Sequence, residues 1–500
     1  MLRRSPRLRS FRWLLPALTL LAGVPLVLPV AARQADDGDT QMHQLAIGQY
    51  LREYRQRHHL PGLSVAVVRN RTVLHVAGYG QTASHTALTP STPMPVASLS
   101  KSFTSLAVMQ LVEAGAIDLD TPITKYLPDF AVDDPRGGQI TLRHALTHTS
   151  GLSDATFHEK SGPLPATLEA GVQMLRQARL VSDPGTARHY HNPNYWIAAR
   201  VVEVMSGEPF GAYLTRHVFE PLDMTSTRSV GRLDQPAQVD RGFIRLFTRP
   251  LARPEPAWFL EGASGVISDA HDMARWLIMQ VNDGTAANGR RLISRQSLDR
   301  MHAGLGWTPG RLGSIATVEH PGWMFTFTAH QLLVPSQGYG IAVMSNVGLG
   351  LAPVDSEVIA HALVEVLNAR TPDTDGRVDA MVDAAFAALT LLLTVAAMSA
   401  VARAPAWAAR RHSASVGRQA AGVLPWFLPL LLLAALAPIL GVVFAGRDAS
   451  FAQMVHVVPS LVVCLVVLSV IGLLVSAVRL RALRRGPVPT LPAGRRASRR

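Results

Sequence analysis

This 500-residue chain contains a single cysteine and only three lysines, although lysine and arginine together number 48. One cysteine, Cys464, excludes intramolecular disulfides, and its place inside an apolar run makes it a packing residue. No cysteine follows the N-terminal apolar run, which excludes lipoprotein attachment. Neither a Gly-x-Ser-x-Gly elbow nor a His-Glu-x-x-His helix occurs, so α/β-hydrolase and zincin chemistry have no foothold. Aromatic residues make up only 6%. The net charge of +13 suggests a nucleic-acid partner until its distribution is read. The first twelve residues carry +5 and residues 403–500 carry +12, leaving the central body mildly acidic at −4. The basic charge sits beside apolar segments at both ends, which points to a membrane and away from nucleic acid.

The N-terminus has an arginine-rich stretch, an apolar run over residues 13–30 and Ala31-Ala32 before a polar segment. That is the anatomy of a signal peptide or an uncleaved anchor over residues 1–32. Three further apolar segments, at about 384–402, 421–445 and 454–478, each approach the length of about 20 residues that a spanning helix needs. The thirteen arginines after residue 402 divide as four, one and eight over the three connections. Arginine-rich connections face the cytoplasm, so residues 403–418 and the tail 479–500 are expected inside. The body between the first and second apolar regions is then expected outside the cytoplasmic membrane, as the N-terminal signal also implies.

Residues 41–369 read as one domain. A helix over about 40–58 leads to two strands, 64–68 and 72–78, joined by Arg69-Asn70-Arg71 in a hairpin. Near the other end, strands over 325–334 and 340–345 flank Pro335-Ser336-Gln337-Gly338, and a helix over 354–368 closes the domain. Strands at both ends with helices between them predict an α/β (α+β) fold: an antiparallel sheet assembled from the two termini, flanked by helices, with a mostly helical insert. Three transmembrane helices are expected to follow.

One of the three lysines stands three residues after a serine, in Ser98-Leu99-Ser100-Lys101. The segment opens a helix that a glycine, Gly115, should stop, and on it Ser98 and Lys101 share one face. The positive end of the helix dipole disfavours a second positive charge there. It thereby lowers the lysine pKa and suits Lys101 to accept a proton from Ser98. A surface lysine beside a capping serine is the plain alternative.

Two later motifs support the chemical reading. Tyr190-His191-Asn192 and His320-Pro321-Gly322 stand in the same order in which Tyr-x-Asn and Lys-Thr-Gly elements succeed a Ser-x-x-Lys pair. With residues 140–152 and 262–269, these motifs resemble the serine hydrolases related to class C β-lactamases, D-Ala-D-Ala peptidases and esterases of the same fold, including penicillin-binding proteins. The resemblance covers about residues 41–369. It implies a β-lactamase/transpeptidase-like sheet, Ser98 as nucleophile, Lys101 as a base, and Tyr190 as a phenolate-like base or relay. It further implies that Asn192 binds Lys101 and a substrate amide, that His320 borders the leaving-group side, and that backbone N–H groups of Ser98 and the Gly322-Trp323 strand form the oxyanion hole. His144 and His148 are expected to be scaffold. No cofactor or metal is expected; the partners are a small ester, amide or peptide and the cytoplasmic membrane.

Two departures bear on the substrate. His320 replaces the lysine that would grip a substrate carboxylate, and Pro321 removes a ladder donor beside the bulky Trp323. Both favour esterase or peptidase chemistry over β-lactam hydrolysis. A sensor acylated on Ser98 and an inactive binding module are the other readings. The short cytoplasmic connection argues against the first, and the presence of serine, lysine, tyrosine and asparagine together against the second. Substrate, oligomeric state and the role of the C-terminal helices are not legible from the sequence alone.

Overall fold

The Arg69-Asn70-Arg71 turn closes the first hairpin, because Asn70 adopts the left-handed conformation (φ 53°) that asparagine tolerates better than most residues. It joins β1 (Gly62–Arg69) to β2 (Thr72–Gly80). The C-terminal half of the body contributes β3 (Thr308–Leu312), β4 (Ile315–Trp323), β5 (Thr328–Val334) and β6 (Tyr339–Ser345). The six form one antiparallel sheet in the order β2-β1-β6-β5-β4-β3, so both ends of the body build it, as expected. This architecture comes from a computed structural model that describes residues 30–233, 239–351, 353–372, 378–443 and 446–485. The basic, apolar N-terminal run and the end of the basic tail lie outside the described residues. Two units are distinguished, Met1–Met42 and His43–Arg500, and the second contains the sheet and the candidate site.

The helices of the body include α1 (Val30–Arg57), α2 (Ser100–Glu113), α3 (Pro193–Ser206, packed on α2), α4 (Ala270–Val281) and α5 (Asp355–Leu367). The central strands are buried on both faces, and their side chains alternate between two cores. Leu63, Val65 and Val67 of β1 with Ile341 and Val343 of β6 pack against Ile47, Leu51 and Tyr54 of α1 and Ile359 and Leu363 of α5. Ala66 and Val68, with Ala342 and Met344, face the larger core that holds Phe103 of α2 and Trp276 of α4. Those two rings stack at 3.9 Å between centroids and fix α2 against α4.

Helix α2 is buried on every side from Ser100 to Met109. Two of its hydroxyls are satisfied internally: Ser100 Oγ donates to Ala97 O at 2.6 Å and accepts from Val266 N, while Ser102 Oγ donates to Leu99 O and accepts from Gln331 Nε2. Gly115, at φ 69°, ends the helix as the sequence predicts.

Beyond the body, two helices are long and apolar enough to cross a membrane, Met381–Ala402 and Pro459–Arg485. The expected middle span is not one straight helix. It is a pair, Leu424–Ala434 and Leu436–Val443, bent by 58°, so the described residues hold two candidate spans, or three if the pair crosses as one. Pro438 gives the reason: it has no N–H, and its ring clashes with the carbonyl four residues back, at Ala434.

Candidate active site

Ser98 lies in a 3-10 turn, Ala97–Leu99, that runs into α2. Ala97 is held at φ 52°, a left-handed conformation that a non-glycine residue adopts only when its surroundings impose it. The imposing contacts are the Ser100 hydroxyl on Ala97 O and the Val96 N–H on Val266 O. Opposite this turn, the end of β4 passes so close that a Cβ on Gly322 would lie 2.6 Å from Val96 O and 2.8 Å from Leu99 Cδ1. Only glycine permits that approach. Residues 320–323 of β4 extend past the last pair with β3 (Thr308 opposite Glu319), which leaves their outer edge toward the Ser98 turn.

Lys101, one turn into the helix from Ser98, is completely buried. Its Nζ lies 3.1 Å from Ser98 Oγ, 2.8 Å from Asn192 Oδ1 and 3.0 Å from Ala263 O. Burial, reinforced by Arg447, drives its pKa well below the lysine range, with Glu159 opposing. The helix dipole expected from the sequence acts in the same direction, but the larger cause is desolvation. A neutral amine donates to the two carbonyl oxygens of Asn192 and Ala263. Its lone pair is then left for the third neighbour, the Ser98 hydroxyl.

Tyr190 and Asn192 stand just ahead of α3, with Pro193 at its first position. The Tyr190 ring centroid is 4.9 Å from Lys101 Nζ and 5.2 Å from the Arg447 guanidinium. Despite these basic neighbours, burial raises the phenol pKa above its ordinary value, with Ser98 and Arg447 only partly opposing. Burial thus works against the phenolate form expected of Tyr190 and favours the relay role. Asn192 Oδ1 accepts from Lys101 as expected, but its Nδ2 donates to Glu159 Oε1 at 2.9 Å. That uses one of the two N–H donors of the amide to which substrate binding was assigned.

His320 is buried, and its Nδ1 donates to Pro321 O at 2.7 Å. Burial and Lys101 push its pKa down to about 3, so it is neutral at physiological pH, in line with the loss of a gripping cation. Trp323 is 44% exposed beside it. His144 is scaffold: it completes a capping box with Thr141 at the start of helix Leu142–Leu146. His148 is closer to the chemistry than the sequence suggests. Its ring packs tilted against Tyr190 at 4.3 Å between centroids, accepts from His191 N on Nδ1 and is kept neutral by burial and Lys101.

Behind Asn192 lies a buried ionic cluster that no local sequence pattern singled out. Asp154 and Glu159 are nearly inaccessible, and both carboxyls face the cations Lys160 and Arg447. Burial would raise the Glu159 pKa, but Lys160 and Arg447 hold it below the ordinary carboxylate value. His191 Nδ1 donates to Asp154 Oδ1 at 2.7 Å, so His191 belongs to this cluster and does not face the substrate side. Asp154, Glu159 and His191 bring ligand-type atoms within 4.8 Å of one another, and both carboxylates are paired with Lys160 and Arg447. A second such group, Glu319, His330 and His361, offers zinc-type ligands on the α5 side of the sheet, away from Ser98. There the Glu319 carboxylate accepts from both imidazoles.

With this geometry in view, the kinship of the chain is plain. A family model described as Beta-lactamase matches residues 47–364, and the chain belongs to that family of serine hydrolases. It is 25% identical to protein flp of Staphylococcus aureus (strain N315), over 80% of this chain and 82% of that one. It is 26% identical to penicillin-binding protein 4 of Amycolatopsis lactamdurans, over 64% of this chain and 89% of the relative. The octameric penicillin-binding protein homologue from Pyrococcus abyssi shares the fold, with a TM-score of 0.56 and 23% identity over 66% of this chain and 78% of that one.

Proposed function

We propose that this protein is a membrane-tethered serine hydrolase that forms an acyl-enzyme on Ser98 with a small ester, amide or D-amino-acid peptide outside the cytoplasmic membrane. The observation that carries the reading is the Lys101 amine, buried, depressed in pKa and 3.1 Å from Ser98 Oγ. Ser98 Oγ attacks the substrate carbonyl while its proton passes to Lys101 Nζ. The bond from carbonyl to leaving group breaks, and that group takes the proton through Lys101 or Tyr190. Water then adds to the acyl carbonyl by the same route in reverse, freeing Ser98. Backbone N–H groups of Ser98 and Trp323 hold the oxyanion. The neutral His320 leaves substrate carboxylates without the cation that Lys-Thr-Gly supplies, which favours esters and peptides over β-lactams.

Labelling membranes with a fluorescent fluorophosphonate tests this reading. The expected adduct sits on the peptide containing Ser98; labelling elsewhere, or none, would sink it. The tether is tested separately. Alkaline phosphatase fused after Asn368, or within residues 446–453, is expected to be active, and within residues 403–418 inactive. Active phosphatase at residues 403–418 would reverse the orientation.

A further inference from the structure

Between Arg418 and Arg479 the only residues of formal charge are Arg447 and Asp448. They sit in the short connection between the second and third C-terminal apolar segments, and both are turned into the catalytic body. Arg447 Nη1 donates to Tyr190 O at 2.6 Å and lies 3.1 Å from Asp154 Oδ2, while Nη2 donates to Glu159 Oε1 at 2.6 Å. The Asp448 carboxylate accepts from Lys160 N, Ser161 N and Ser161 Oγ at 3.1, 2.7 and 2.8 Å, and its own N–H donates to Asp154 Oδ2. Gln453 Nε2 adds a bond to Lys160 O. The connection is thus docked along the segment from Asp154 to Ser161.

From Arg447 a continuous chain of contacts reaches the hydroxyl of Ser98. Arg447 holds Glu159, Glu159 accepts from Asn192 Nδ2, Asn192 Oδ1 accepts from Lys101, and Lys101 faces Ser98. Charge balance makes the arginine indispensable to this chain. Asp154 and Glu159 are two buried anions, and among the described residues Lys160 is the only lysine or arginine that the body itself places on them; Arg447 brings the cluster to neutrality. Without it, one negative charge is left uncompensated behind Asn192.

We infer that Arg447 is a positioning residue for the Ser98 chemistry, delivered by the connection between the C-terminal apolar helices, so that the site is complete only with those helices docked. The inference rests on the serine-hydrolase reading. It gives the C-terminal helices a role beyond anchorage. It also fits the arginine distribution, which independently assigns this connection and the body to one side of the membrane.

Besides burial, the charges that set the proton affinity of Lys101 are Arg447, Glu159 and Lys160 behind Asn192, while His148 and Arg188 around Tyr190 and His320 on β4 stand on its other sides. Losing the Arg447 charge and exposing Lys101 to Glu159 both favour the ammonium form. In full-length protein in detergent, Arg447→Gln is therefore expected to lower kcat/KM for a p-nitrophenyl ester about 10- to 100-fold at neutral pH, mostly through kcat. The rising limb of its pH profile should move to higher pH. Arg447→Lys should recover most of the rate and return the limb toward its wild-type position. An Arg447→Gln enzyme with wild-type kcat and an unmoved profile would overturn the inference while leaving the acyl-enzyme reading intact. Absence of Ser98 labelling in the wild type would instead overturn that reading. Should Arg447→Gln fail to fold, docking is read from Ser161→Cys and Asp448→Cys in a Cys464→Ser background. Mild oxidation or a short thiol cross-linker should join them in the intact membrane, and failure to join overturns the proposal.

Discussion

Ser98→Ala is expected to abolish turnover of short p-nitrophenyl esters, and Lys101→Met to lower kcat by about two orders of magnitude or more, with the protein still folded. The two losses have different origins. Alanine removes the atom that attacks, whereas methionine keeps most of the buried side chain's volume and removes the proton acceptor 3.1 Å away. Because burial and Arg447 hold the lysine pKa well below its usual value, the neutral amine that catalysis needs is present at lower pH than for an exposed lysine. kcat/KM should therefore rise with pH through that depressed value in the wild type, and the limb should vanish in Lys101→Met. Wild-type turnover by Ser98→Ala, or an unchanged limb in Lys101→Met, would refute the assignment. The two should also fall short of additive in combination, since they serve one proton transfer.

The parts of this site visible in the sequence are those set by local geometry. Ser98 and Lys101 are three residues apart on one helix, so their approach follows from helical pitch. Gly322 is a glycine because a strand passes a helical turn too closely for a Cβ. The hairpin at Asn70 and the alternation of Leu63, Val65 and Val67 are likewise local. What was not legible depends on burial and on distant partners. Tyr190 has three basic side chains around its ring, which taken alone argues for a phenolate, yet its complete enclosure outweighs them. Glu159 lies in a loop with no periodicity, so nothing local shows that it takes the Asn192 amide. Arg447 is 257 residues from Tyr190, and the only trace of it in the sequence is two adjacent opposite charges in an otherwise uncharged stretch. The bend in the middle apolar segment was foreshadowed by Pro438, but its angle depends on packing.

Glu159→Ala is expected to destabilise the body by about 3–5 kcal/mol, because it leaves Lys160 and Arg447 buried with a single carboxylate between them. For a domain of this size that corresponds to about five degrees in a thermal melt. The pH dependence is set by the direction of the shifts. Asp154 and Glu159 both have folded pKa values below their unfolded ones, held there by Lys160 and Arg447 against the effect of burial. Their stabilisation is therefore fully present above the ordinary carboxylate pKa of about 4, and is lost as pH falls through the lower folded values. The wild-type melting temperature should decline on acidification below that range. Glu159→Gln, which keeps the shape but cannot titrate, should start lower and decline less steeply. The same variant frees the Asn192 amide from its charged acceptor, so activity should fall alongside stability. An alanine variant that melts within about one degree of the wild type would show that the two cations find other partners, and that the carboxylate behind Asn192 does not hold the cluster together.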